Sequence, residues 1–207
     1  SAWAPLAQPV FRMLWLTWLV SNVCLWMNDV AAAWLMNSLT ASPAMVALVQ
    51  TASTLPVFLL GLPSGAAADI LNRRAWFIAT QFWVAFNAMV LAAVLIAGWL
   101  SPVLLLLLTF GNGIGLALRW PVYAAIVPEL VPRRDLPAAL ALNGVAVNTS
   151  RIVGPLIAGA ILASFGGVYV FLANAVLSLA AALIVMRWRS EQKVSVLPGE
   201  RFVPIDV

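Results

Sequence analysis

A chain of 207 residues that is 64% hydrophobic and 9% charged, with a mean hydropathy of +1.02, carries more apolar surface than a soluble core can hide, so it is an integral membrane protein. Its apolar runs are as long as a bilayer is thick and lack period-two alternation, which excludes barrel strands and sets the class as all-α. The net charge of +4 comes from basic residues scattered at the ends of these runs, where they set topology, so no nucleic-acid partner is expected.

Residues 1–10, with Pro5 and Pro9, read as an N-terminal cytoplasmic arm ahead of a bundle over residues 11–188. The first helix is expected from about Phe11 to Asn37. It breaks at Asn37-Ser-Leu-Thr-Ala-Ser-Pro43. A second, from about Ala44 to Ala68, carries Pro56 and Pro63, tolerable where neighbouring helices satisfy the freed carbonyls. Between it and a third helix, about Ala75 to Ala97, lies Gly61-Leu-Pro-Ser-Gly65-Ala-Ala-Ala-Asp69-Ile-Leu-Asn-Arg73-Arg74. Small residues there permit close helix approach, and the two arginines hold the turn on the positive side of the membrane. After a turn at Gly98-Trp-Leu-Ser-Pro102, a fourth helix runs from about Val103 to Val127. The longest polar loop, Pro128 to Pro137, precedes a fifth from about Ala138 to Ser164, and Phe165-Gly-Gly167 turns into a sixth ending near Trp188. Residues 189–207 form a polar, proline-punctuated tail.

With six helices, alternate connections lie on opposite sides. Arg12, Arg73, Arg74, Arg133, Arg134, Arg187, Arg189, Lys193 and Arg201 all fall on the side of the N-terminus, and the connections near residues 38–43, 98–102 and 165–167 have no Lys or Arg. Both termini of this multi-pass chain are therefore expected in the cytoplasm. Trp15, Trp76 and Trp188 fall near that interface and Trp34 and Trp99 near the other, as anchoring belts require.

Three charges remain inside helices: Asp29, Arg119 and Arg151. Each costs about 2.5–3.5 kcal/mol at mid-bilayer, so each must face a cavity or a partner. At about 1.5 Å per residue from the cytoplasmic ends, Asp29 lies roughly 25 Å in, Arg151 roughly 20 Å and Arg119 about 10 Å. Asp29 and Arg151 are thus expected to face each other, with Arg119 nearer the cytoplasmic mouth. Asn22, Leu25, Asn28 and Asp29 share a side of the first helix; Thr109, Asn112 and Arg119 form a stripe on the fourth, and Asn143 and Arg151 on the fifth, near Asn148 and Ser150. A solvated pathway and a polar interhelical seam both produce such stripes, and Asp29 with Arg151 could equally be a buried ion pair that fixes packing. Full charges favour the pathway. The lone Cys24 allows no disulfide within one chain, and the absence of His removes imidazole metal sites and proton relays. No acids cluster at metal-ligand spacing and no nucleophile stands beside a base. Neither a metal, a cofactor nor a catalytic residue is therefore expected, and a lipid-modifying enzyme is disfavoured.

The turn after the second helix resembles the cytoplasmic signature between helices 2 and 3 of the major facilitator superfamily. Gly65, Ala68, Asp69, Arg73 and Arg74 fall on its positions, and Ile70 and Asn72 stand where it has Arg and Gly. Arg151-Ile-Val-Gly154-Pro155-Leu-Ile-Ala-Gly159 resembles the fifth-helix signature of its proton-coupled exporters, with Ser150 and Ala158 in place of two glycines. Ala33-Trp-Leu, Pro128-Glu-Leu-Val-Pro-Arg, Asp135-Leu-Pro and Leu142-Asn143 are similar to the branch of siderophore exporters and macrolide-efflux proteins, the transmembrane secretion effectors. The resemblance implies one six-helix major-facilitator bundle in a bacterial inner membrane. It also implies that Arg73 or Arg74 pairs with Glu129 and that Asp69 latches to a second bundle.

A complete carrier of this superfamily has two such bundles with the site between them. Starting at Ser1 and ending in a polar tail, the chain reads as an N-terminal half cut at the central loop; if complete, two copies could pair in the same orientation. The expected function is a secondary transporter that exports a small amphipathic molecule, such as a drug or siderophore, driven by proton entry. Its partners would be membrane lipid, the substrate, protons and a second six-helix half. Asp29 is the expected proton carrier, opposed by Arg151, with Arg119 biasing the inner mouth toward anionic or polar substrates. A membrane scaffold or regulatory half-carrier is the alternative.

Overall fold

In a bilayer every backbone N–H and C=O must be paired within the protein, and a continuous apolar run does so as a helix. The computed structural model describes residues 2–70 and 72–187, with side chains for all of these except 66–70. Within them α1 spans Pro9–Leu39, α2 Pro43–Ile70, α3 Arg73–Ile96, α4 Pro102–Leu130, α5 Leu136–Ser164 and α6 Gly167–Arg187. Short 3-10 turns at Ala4–Ala7 and Arg133–Asp135 precede α1 and α5. Six helices, among the described residues, are long and apolar enough to cross a membrane. The protein is an all-α polytopic membrane protein. Arg189, Lys193, Arg201 and Trp188, with the rest of the expected tail, lie outside the described residues.

Helix ends follow local chemistry. Proline stands in the first turn of α1, α4 and α5, where its missing N–H leaves no bond unmade. Ser101 caps α4, accepting from the Leu104 N–H at 3.2 Å. Asn72, which departs from the family signature, caps α3 by accepting from the Ala75 N–H at 3.1 Å. Gly98 and Gly166 close α3 and α5 with φ of 72° and 93°, a conformation that disfavours side chains.

The connection between α4 and α5 is shorter than the expected polar loop. Pro128 lies inside α4, and Pro137 inside the first turn of α5. A proline removes only its own N–H, so a helix end can continue past it while a neighbour satisfies the freed carbonyl. Pro121 illustrates this. It frees the carbonyl of Ala117, four residues back, which accepts from Ser64 Oγ of α2 at 3.0 Å.

The helices pack as two inverted units of three. α2 lies on α4 as α5 lies on α1, α3 lies on α4 as α6 lies on α1, and α3 meets α6 at the back. The tightest approaches repeat the same relation. A Cβ on Gly113 of α4 would strike the Ser53 carbonyl of α2, and one on Gly154 of α5 would stand 2.5 Å from Trp26 Cβ of α1. By contrast, a Cβ on Gly61, Gly65 or Gly159 would meet nothing within 4 Å. Among the described residues the close approach expected at those glycines does not occur, because α2 and the outer half of α5 turn those faces outward.

The core has two apolar clusters with a polar layer between them. At the arginine-rich end Phe11, Leu14, Phe77, Ile126 and Val185 pack around a stack of Trp18 on Tyr123. At the other end Met27, Met36, Leu91, Leu105 and Phe171 form the second. Burial is uneven around the bundle. Of the most apolar stretch of α2 only 17% is buried and of α5 22%, against 39–44% in the other four helices. Phe58 and Leu62 of α2 stand 87% and 89% exposed.

Candidate transport pathway

The poorly buried side of the bundle encloses the largest cavity described, about 930 Å³. Asn22, Leu25, Trp26 and Asp29 reach it from α1 at i, i+3, i+4 and i+7, one helical face. Ser53, Gln50 and Thr54 reach it from α2, Leu116 and Trp120 from α4, and Val147 and Arg151 from α5. α3 and α6 contribute no lining residue.

Asp29 and Arg151 are brought to the same cavity, and no ion pair joins them among the described residues, unlike the alternative of a buried packing bridge. Asp29 is half-buried, and its Oδ1 accepts from Ser53 Oγ at 2.8 Å. Arg151 is exposed, with its guanidinium carbon 5.3 Å from the centroid of the Trp26 ring. Two opposite charges with separate partners differ from a closed packing bridge. Asn22 lines the wall but spends its amide on the Trp18 carbonyl, at 2.8 Å. Pro155 removes the helical donor for the carbonyl of Arg151, leaving a backbone acceptor beside that side chain.

Arg119 sits elsewhere than expected. It is 2% exposed and behind the wall rather than at a mouth. Its Nη1 donates to Gln81 Oε1 at 3.4 Å, and Gln81 Nε2 in turn donates to Ser21 Oγ at 2.7 Å. The guanidinium lies 5.5 Å from the Trp18 ring centroid, and its Nε is buried without a hydrogen-bond partner. No carboxylate pairs with it among the described residues. The count of about 1.5 Å per residue gave the depth of Arg119 along α4 but could not tell that Trp18, itself edge to face with Trp120 at 5.9 Å, would stand over it.

Asn112 joins Arg119 rather than the cavity. With Ser21 and Asn174 they border a void of about 10 Å³, the size of one water. Asn28, expected beside Asp29, turns to α6, where its Oδ1 accepts from Asn174 Nδ2 at 3.5 Å and Ser178 donates to Asn174. Asn148 is exposed and bonded back to the Gly144 carbonyl, so it belongs to neither region. Sequence reasoning missed Ser53, the partner of Asp29, and Gln81, the partner of Arg119. Gln81 carried a signal, an amide inside an apolar run, but small hydroxyls such as Ser53 satisfy their own helix too readily to stand out.

At the basic end Arg73 makes the ion pair with Glu129, and its Nη1 also donates to the Ala125 carbonyl at 3.3 Å. Arg74 instead donates from Nη2 to the Met186 carbonyl of α6 at 2.5 Å. The two arginines thus bind different helices. The side chain of Asp69 lies outside those described. In the fifth-helix motif Gly154 faces α1 and Pro155 lies inside α5, whereas Gly159 is exposed and the buried member of the closing pair is Ala158.

Six helices long and apolar enough to span a membrane thus pack as two inverted triplets, with a cavity holding two charged side chains on the side of α1, α2, α4 and α5. The family model described as transmembrane secretion effector matches residues 1–205, and the chain belongs to that family of major facilitator superfamily transporters. It is 27% identical over 187 residues to the Staphyloferrin A transporter of Staphylococcus aureus (strain NCTC 8325 / PS 47), a match covering 88% of this chain and 46% of that protein. It is 28% identical over 158 residues to the uncharacterized MFS-type transporter YfiS of Bacillus subtilis (strain 168), covering 75% and 36%. The chain therefore spans less than half the length of each of these curated relatives.

Proposed function

We propose that this bundle is one half of a proton-coupled secondary transporter of a bacterial inner membrane, exporting a small amphipathic molecule, with both termini in the cytoplasm. The observation that carries the reading is the cavity in which a carboxylate and a guanidinium face common space without pairing. The most exposed apolar surface, on α2 and α5, rims that cavity and would be covered by a second six-helix half, placing the binding site between halves. That half would belong to the same polypeptide or to a second copy.

In this mechanism Asp29 takes and releases the proton, and Ser53 orients it by donating a hydrogen bond. Arg151, stacked on Trp26, receives an anionic or polar group of the substrate, while Trp26 and Trp120 offer apolar faces to the rest. Arg119 acts through the wall as a fixed positive charge. Arg73–Glu129, with Asp69, serves as the latch of alternating access. Likeness to a protein named Staphyloferrin A transporter puts staphyloferrin A among the substrates to try first. Proton-driven efflux, measured in inverted vesicles holding the full-length transporter, should be abolished by Asp29→Asn with the protein still folded. Coupling that persists in that variant rejects the role of Asp29.

A further inference from the structure

Two grooves run along the back of the bundle in symmetry-related places, between α1 and α6 and between α3 and α4. The second, about 290 Å³, is lined by Trp76, Ala79, Thr80, Trp83, Ile114 and Leu118 and holds no charge. The first, about 370 Å³, runs between Leu16 and Val20 of α1 and Leu177, Ala180 and Ile184 of α6, and has Arg12 at its basic-end mouth. We propose that the α1–α6 groove holds one acyl chain of an anionic glycerophospholipid whose phosphate rests on Arg12.

Length, polarity and charge agree on this occupant. From Arg12 to Val20 is eight residues of helix, about 12 Å, close to one leaflet of about 15 Å of hydrocarbon. Below Arg12 the wall offers no free hydrogen-bonding group, since the Thr17 hydroxyl is spent on the Leu14 carbonyl at 2.8 Å. An acyl chain loses nothing there, while a free inorganic anion would find nothing to bind. Half-buried Ala180 supplies the floor, a side chain too small to fill the space between the helices. At the mouth Arg12 is exposed and makes no ion pair among the described residues. Arg187, one turn beyond Ile184 on the same stripe of α6, is a second exposed cation. The cavity lies on other helix faces, so the site does not depend on how, or whether, the protein transports.

The test is native mass spectrometry of the full-length protein taken from bilayers of equal phosphatidylglycerol and phosphatidylcholine. The last lipid retained should be phosphatidylglycerol, in about fivefold excess, the preference expected from one juxtamembrane arginine. Arg12→Gln should erase that preference while a lipid is still retained, and Ala180→Phe should remove both lipids by filling the groove. Should Ala180→Phe fail to fold, Leu177→Trp at the lip gives the same readout. Equal retention of the two lipids by the unaltered protein, a preference that survives Arg12→Gln, or displacement by inorganic phosphate would each overturn the proposal.

Discussion

The charges inside this bundle occupy two regions built on opposite principles. On the open side Asp29 and Arg151 line one cavity, each bound to one neutral neighbour, Ser53 or Trp26. Behind the wall Arg119 is 2% exposed, covered by Trp18, with Gln81 as an acceptor and its buried Nε–H unmatched. A charge on the wet side can exchange partners, because water or a ligand replaces whatever leaves. One in the closed layer cannot, and must be held by whatever the fold provides. The difference separates groups suited to binding and releasing from a group suited to setting a constant field.

The largest effect should come from prising the cavity wall off the closed layer. Gly154→Val would push a side chain into Trp26 and the Val23 carbonyl, costing about 3 kcal/mol, whereas Gly159→Val meets nothing and should stay within about 0.5 kcal/mol in thermal unfolding in detergent. Equal losses at both sites would show that α5 packs otherwise. Next, the two regions should answer differently to the same deletion of one hydrogen bond to a charge. Gln81→Leu removes the acceptor of buried Arg119 and should cost about 1.5–3 kcal/mol. Ser53→Ala removes the donor to Asp29, and with water at hand the loss should be near 0.6 kcal/mol. Reversal of that order would mean that the cavity is dry and the layer wet.

Labelling sharpens the contrast without touching stability. Arg151→Cys should react with a water-soluble thiol reagent about tenfold faster than Arg119→Cys, since thiol reactivity follows access. Native Cys24, 1% exposed, adds little background. Comparable rates would erase the distinction. A small effect is expected at the Arg73–Glu129 pair. Glu129→Gln breaks a pair whose side chains are 28% and 61% exposed, and the loss should stay below about 1 kcal/mol by chemical unfolding.

Much of this was legible in the chain itself. Hydropathy specifies six spans because a bilayer leaves an apolar run no other way to satisfy its backbone. Helix ends were legible to within a few residues, and the α4–α5 loop was overread because Pro128 and Pro137 look like breakers when each removes only one bond. The polar stripe through Asn22, Leu25 and Asp29 was legible for the same reason as any helical face, from a period of 3.6. Asn28 shows the limit, because a residue at the edge of a stripe can turn to either neighbour, and Asn174 of α6 drew it away.

The sequence by itself determined the class, the number of spans, the family and the short list of intramembrane charges, since each follows from local composition, period or motif. Only the tertiary structure decided the partners, Asp29 with Ser53, Arg151 with Trp26, Arg119 with Gln81 and Arg74 with α6, and which of Arg73 and Arg74 takes the expected Glu129. The charged side chains inside the membrane draw their partners here from other helices, Asp29, Arg151 and Arg119 each through a neutral group and Arg119 only in part. Which helix stands opposite is set by the packing of all six helices together, with Gly113 and Gly154 at two of the tightest approaches, and no single helix carries that information.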